Sequence, residues 1–185
     1  MAQTWRMRPF SHKNSGKPRP PLDAASLQAL ALHYVGRYAT TRAKLRLYLQ
    51  RKLGERGWED DGAPPVEAVV SRCAQLGYVD DAGFAQARGQ ACLRQGYGAG
   101  RVSQVLRAAG VEAQDTEPVV TAAREEALAA ALRFAQRRRI GPYAAERADR
   151  DQARRQLGAM LRAGHAMDVS RRIIAAEPGE TLTES

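Results

Sequence analysis

Apolar residues recur every three or four positions along short stretches of this chain, and most stretches stop at a glycine. Leu27, Leu30, Ala31, Tyr34, Val35 and Tyr38 form a first helical stripe behind Asp23, whose carboxylate suits it to cap a helix start. Leu45, Tyr48, Leu49 and Leu53 form a second stripe after Thr40 and Thr41. Pro64 and Pro65 suit the start of a third, Val66, Val69, Val70, Cys73 and Leu76, which Gly77 ends.

The same succession follows twice more. Asp80 or Asp81 can cap a helix bearing Phe84, Ala87 and Ala91; GYGAG at 96–100 breaks the chain before Val102, Val105 and Leu106; and Gly110 closes that helix. A short segment near Asp115–Ala123 carries Val119 and Val120, with Pro118 limiting where it can begin. The last copy begins near Arg124 with Leu128, Ala131, Leu132 and Ala135. It resumes after Gly141 and Pro142 with Leu157, Met160 and Leu161, and finishes on Val169, Ile173 and Ile174.

The middle helices LRLYLQRKL (45–53), VSQVLRAAG (102–110) and LGAMLRAG (157–164) each open with an apolar pair four residues apart, a period of roughly 50 to 57 residues. Units this small cannot each bury a large core, so the pattern predicts stacking of neighbours. The predicted fold is all-α: three tandem three-helix repeats at 23–78, 79–123 and 124–176, stacked into an elongated, curved array. A flexible, basic, proline-containing arm (1–22) precedes them and a frayed acidic tail (177–185) follows. The alternative is an ordinary helical bundle in which the similarity of the units is coincidental.

Composition sharpens this. With 44% hydrophobic, 26% charged and only 6% aromatic residues, and with Ala, Leu and Arg recurring throughout, the chain suits a helical globular core. No apolar run is long enough to cross a bilayer and the first residues lack a signal-peptide core, which predicts a cytoplasmic protein without a membrane partner. Cys73 and Cys92 lack metal-ligand spacing and read as buried reduced thiols; His12, His33 and His165 are scattered, so no metal, cofactor or catalytic triad is expected. The net charge of +9 implies an acidic partner. Five basic and no acidic residues precede Asp23, so more than half of the excess lies in the arm.

Residues 76–111, LGYVDDAGFAQARGQACLRQGYGAGRVSQVLRAAGV, resemble the central repeat of the RecX family. The family pattern is a Gly-aromatic turn, a paired acidic cap, Phe-Ala on the next helix, an Arg-rich face, Gly-Tyr-Gly, and a helix ending in Gly. Gly77, Tyr78, Asp80, Asp81, Phe84, Ala85, Gly96, Tyr97, Gly98, Leu106 and Gly110 occupy those positions. TTRAKLRLYLQRKL (40–53) resembles the first repeat and the last two helices the third, so the resemblance spans about residues 23–176. Departures are Leu53 in place of a helix-ending Gly, the longer loop GERGWEDDGAPP, and a third repeat one residue short before Gly164.

The resemblance implies a non-enzymatic regulator in homologous recombination, DNA repair and the SOS response, and the lack of a heptad seam or a large uncovered apolar face predicts a monomer. A RecX-like regulator lodges in the groove of the RecA recombinase filament on DNA and inhibits strand exchange, ATP turnover and filament growth. Physically, Asp80, Asp81, Phe84, Gly96, Gly98 and Gly110 have structural jobs as caps, core and turns. A catalytic carboxylate pair at Asp80 and Asp81 lacks supporting His, Lys or carboxylate partners. A phosphate-cradling loop at 96–100 lacks the preceding strand and GK[ST] ending.

The candidate binding face lies opposite the core stripes. Arg101, Gln104 and Arg107 recur every three residues, with Arg88, Arg94 and Tyr97 nearby in sequence and Arg42, Arg46 and Arg51 on the first unit. Arg137, Arg138 and Arg139 form a further cluster. The competing reading is a direct helical DNA-binding module, binding single- and double-stranded DNA weakly and with little sequence preference, since side chains suited to base-edge readout are few.

Overall fold

The computed structural model describes residues 20–183. Residues 1–19 of the expected arm, and Glu184 and Ser185 of the tail, lie outside them. Among the described residues there are nine α-helices, one 3-10 turn (Gly141–Tyr143) and no β-strand. The helices are α1 (Ala24–Val35), α2 (Arg42–Arg56), α3 (Val66–Gln75), α4 (Asp81–Arg94), α5 (Ala99–Ala108), α6 (Ala113–Glu125), α7 (Ala127–Arg138), α8 (Arg150–Arg162) and α9 (Met167–Ala175).

Local chemistry sets most of the ends. Asp23 and Ser26 form a reciprocal capping box at α1, Thr41 accepts from the Lys44 amide at α2, Asp80 from the Gly83 amide at α4, and Asp149 from the Gln152 amide at α8. Gly77, Gly96, Gly110 and Gly164 end their helices with φ near +70 to +87°, a conformation that costs other residues a Cβ clash. Two boundaries differ from expectation. α1 stops at Val35, so Tyr38, predicted on its apolar stripe, lies beyond the helix and is exposed. α6 begins at Ala113 rather than near Asp115, with Pro118 inside the helix and one amide fewer to donate.

Burial falls into three clusters that follow chain order. Leu22, Leu27, Leu45, Leu49 and Val70 anchor the first, between α1, α2 and α3. Leu93, Val102, Leu106 and Val120 anchor the second, between α4, α5 and α6. Phe134, Ile140, Met160 and Ile173 anchor the third, between α7, α8 and α9. Each cluster is small, and contacts also join successive triplets.

Those contacts share one geometry. At the first junction the start of α2 meets the end of α5: Thr41 Oγ1 donates to the Ala109 carbonyl at 2.6 Å, and Gly110 backs onto Ala43. At the second, the start of α5 meets the end of α8: the Gly98 amide donates to the Ala163 carbonyl at 2.9 Å and the Gly100 amide to the Gly164 carbonyl at 3.0 Å. A Cβ on Gly98 would lie 2.3 Å from the Gly164 oxygen, so the glycine permits a direct backbone approach where the first junction interposes a threonine hydroxyl. His165 seals the second junction by donating from Nε2 to the Gly96 carbonyl at 3.1 Å.

Both ends of the described residues are tied down further than their composition announces. Leu22, fully buried, pairs with the Trp58 segment through Leu22 N–H to Gly57 O (3.0 Å) and Glu59 N–H to Leu22 O (2.9 Å). Beyond α9, the Gly179 amide donates to the Pro142 carbonyl at 2.8 Å, Leu182 packs against the third cluster, and Arg147 pairs with Glu177 at 2.6 Å.

Candidate nucleoprotein-binding surface

The acidic pair of the central motif divides its labour. Asp80 caps its own helix through the Gly83 amide at 2.9 Å. Asp81 is buried and turns away to accept the Arg42 amide at 2.9 Å, so it caps the neighbouring triplet's α2. Burial pushes its carboxyl above the usual aspartate range, and the bond from Arg42 pulls it partly back. Among the described residues no three His, Cys, Asp or Glu side chains converge to hold a metal ion. Cys73 and Cys92 are buried and free, and burial raises the Cys73 thiol.

The structure sorts the arginines by what they touch. Arg101 donates to Gln104 Oε1 at 2.6 Å and lies over the Tyr97 ring at 5.9 Å, while Tyr97 is wedged between the second and third clusters. Gln104 and Arg107 line an open groove between α5 and α9, closed at one side by Arg124 of α6 and bordered by Asp168. Arg88 lines a separate hollow with Tyr78 and Phe84, above which Lys44 approaches the Phe84 ring at 5.0 Å. Arg94 is exposed in the last turn of α4, and Arg42 is exposed in the first turn of α2. Arg46 makes a two-pronged pair with Glu67 on α3, at 2.5 and 2.7 Å. Arg51 pairs with Glu55 at 3.1 Å beside Tyr48. Thus Arg101, Gln104 and Arg107 on α5 and Tyr97 in the turn before it are brought together, whereas Arg46, Arg51 and Arg88 occupy other places.

Sequence periodicity missed Arg124 and Arg133, and placed Arg137 in a cluster without revealing its role. Arg124 joins the α5 groove from another helix, a proximity no spacing within one helix reveals. Arg133 and Arg137 are capping groups: they donate to the Leu93 carbonyl, at 3.2 Å, and to the Gln95 carbonyl, satisfying the end of α4 from the next triplet.

No protein-family model matches the chain. Over 182 residues it is 30% identical to the regulatory protein RecX of Myxococcus xanthus, covering 92% of this chain and 96% of that protein. This protein belongs to the RecX family. A RecX of Thermus thermophilus is 34% identical over 110 residues, 59% of this chain and 71% of the relative. The fold agrees with solved RecX structures: that from Lactobacillus salivarius superimposes with a TM-score of 0.59 at 17% identity, covering 82% of this chain and 94% of the other. A second RecX crystal structure superimposes with a TM-score of 0.60 at 18% identity over 81% of this chain and 72% of that one. The relatives are regulatory proteins by name, and among the described residues of this RecX-family chain no helix is long and apolar enough to cross a membrane.

Proposed function

We propose that this protein acts without chemistry of its own as a cytoplasmic regulator of the RecA recombinase, lodging as a monomer in the groove of the RecA filament on DNA and inhibiting its ATP turnover and strand exchange. The observation that carries the reading is the exposed polar edge of α5, with Gln104 and Arg107 lining a groove beside the second inter-triplet junction. In this reading the triplets 23–78, 79–123 and 124–176 are units of an elongated, curved array. The first unit presents Arg42, Arg46 and Arg51, and the middle unit Arg88, Arg94, Tyr97, Arg101, Gln104 and Arg107, to acidic RecA surface or DNA phosphates. Arg46 exchanges its Glu67 partner, a surface pair worth at most about 1 kcal/mol, so its recruitment costs little.

The test is RecA's DNA-dependent ATP hydrolysis in the presence of wild type and of Arg101→Glu/Arg107→Glu. The double variant is expected to keep its helicity and lose inhibition. Since Arg101 also lies against Gly164, Arg107→Glu alone separates charge from packing and is expected to weaken inhibition as well. A folded double variant that inhibits like wild type would overturn the assignment of α5.

A further inference from the structure

Apart from Arg51, the proposed RecA-facing residues leave unused an aromatic and basic groove on the first triplet. On α2, Lys44, Leu47, Tyr48 and Arg51 recur at helical spacing on a face turned from the core residues Leu45 and Leu49. Across from them the end of α1 contributes His33 and Tyr34, and the turn beyond it Arg37 and Tyr38. Three of the chain's six tyrosines gather here. Tyr34 stacks on Tyr48, with ring centres 4.2 Å apart and planes 15° from parallel, and Tyr38 tilts against Tyr34 at 5.3 Å. Arg51 and Lys52 approach the Tyr48 ring at 5.7 and 6.0 Å.

Core packing accounts for only part of this. Tyr34 and Tyr48 pack on the first cluster, but Tyr38 and Leu47 do not, and they stand 55% and 64% exposed. The groove lining holds cations and no carboxylate; Glu55, one turn along, binds Arg51 at 3.1 Å and Lys52 at 2.6 Å. Exposed ring and methyl surface interleaved with fixed cations is what an unstacked base and its phosphate require. The ring takes the base face, and the cations take the backbone charge. A duplex keeps its bases stacked inside and can use the cations alone.

We infer that this groove is a single-stranded nucleic-acid site, in which a base stacks on Tyr38 and Leu47 while Arg37, Lys44 and Arg51 hold adjacent phosphates. It stands apart from the α5 edge, sharing only Arg51 with the proposed RecA-facing residues, and requires no RecA.

The experiment is fluorescence anisotropy with the full chain, without RecA, using a short labelled thymidine oligonucleotide and the same length of duplex. Tyr38 lies outside the helices and outside the core, so Tyr38→Ala leaves the fold intact; it is expected to weaken single-strand binding about tenfold and duplex binding much less. Tyr38→Phe is expected to bind like wild type, and Arg37→Glu to weaken both ligands and flatten the salt dependence. The basic N-terminal residues are common to all variants and cancel in the comparison. Single-strand binding unchanged in Tyr38→Ala, or lost equally for duplex, would overturn the inference. So would a labelled acidic peptide whose binding, but not that of the oligonucleotide, depends on Tyr38.

Discussion

Replacing Thr41 by valine removes two bonds at once while nearly preserving volume. The Thr41 hydroxyl is fully buried; it accepts the Lys44 amide at 3.2 Å, capping α2, and donates to the Ala109 carbonyl of the next triplet at 2.6 Å. Loss of the cap costs about 1 kcal/mol. Loss of the buried inter-triplet bond, leaving the Ala109 carbonyl unpaired, costs about 1 to 2 kcal/mol more. Thr41→Val should therefore destabilise by about 2 to 3 kcal/mol, a drop of about 1 to 1.5 M in the urea midpoint for a slope near 2 kcal/mol/M. Far-ultraviolet circular dichroism during urea unfolding measures this. Thr41→Ser keeps the hydroxyl and loses one methyl, about 0.8 kcal/mol. The adjacent Thr40 supplies a control: its oxygen is buried without a hydrogen-bond partner among the described residues, so Thr40→Val should be neutral or stabilising. A Thr41→Val midpoint matching wild type, or a Thr41→Ser midpoint falling as far, would refute the view that this hydroxyl couples the triplets.

At the second junction, Gly98→Ala drives a Cβ into the Gly164 backbone and should cost roughly 3 kcal/mol, whereas Gly54→Ala, in α2 with open space around it, should gain about 0.5 to 1 kcal/mol; urea midpoints distinguish them. Burial lowers the His165 imidazole below its ordinary value of 6.5, so the folded state resists a proton that the unfolded chain accepts. Its contribution is therefore present above that value and lost as pH falls through it. His165→Gln, which can still donate to the Gly96 carbonyl, should lose less stability than wild type between pH 7 and pH 5, and equal losses would contradict this.

What the sequence displays is what lies within a helix or at its ends. Stripe spacing marks the helices, and Asp23, Thr41 and Asp80 mark their starts because a cap and its amide are three residues apart. Partnerships across the chain leave no such period. Asp81 reads as half of an acidic cap but serves Arg42, 39 residues away; Gly98 reads as turn chemistry but is small because another backbone passes against it. The arginines show the same limit. Periodicity places Arg101, Gln104 and Arg107 together, yet it cannot reveal that Glu67 holds Arg46, that Arg137 serves the Gln95 carbonyl, or that Arg124 shares a groove with Arg107. The tyrosine groove escapes for a further reason. Tyr38 fits the apolar stripe of α1, and only the end of that helix at Val35 puts its ring in solvent.

The central claim is that this RecX-family protein regulates RecA by binding the filament itself, not by competing with it for the DNA strand. The most direct measurement is RecA's single-strand-dependent ATP hydrolysis, titrated with the Tyr38→Ala variant, which lacks the inferred single-strand site, from far below one copy per RecA up to equivalence, without and with excess single-stranded DNA. Inhibition that begins at substoichiometric protein and survives the added DNA is the predicted result. Inhibition relieved in proportion to the added DNA would contradict the claim and leave competition for the strand as the activity.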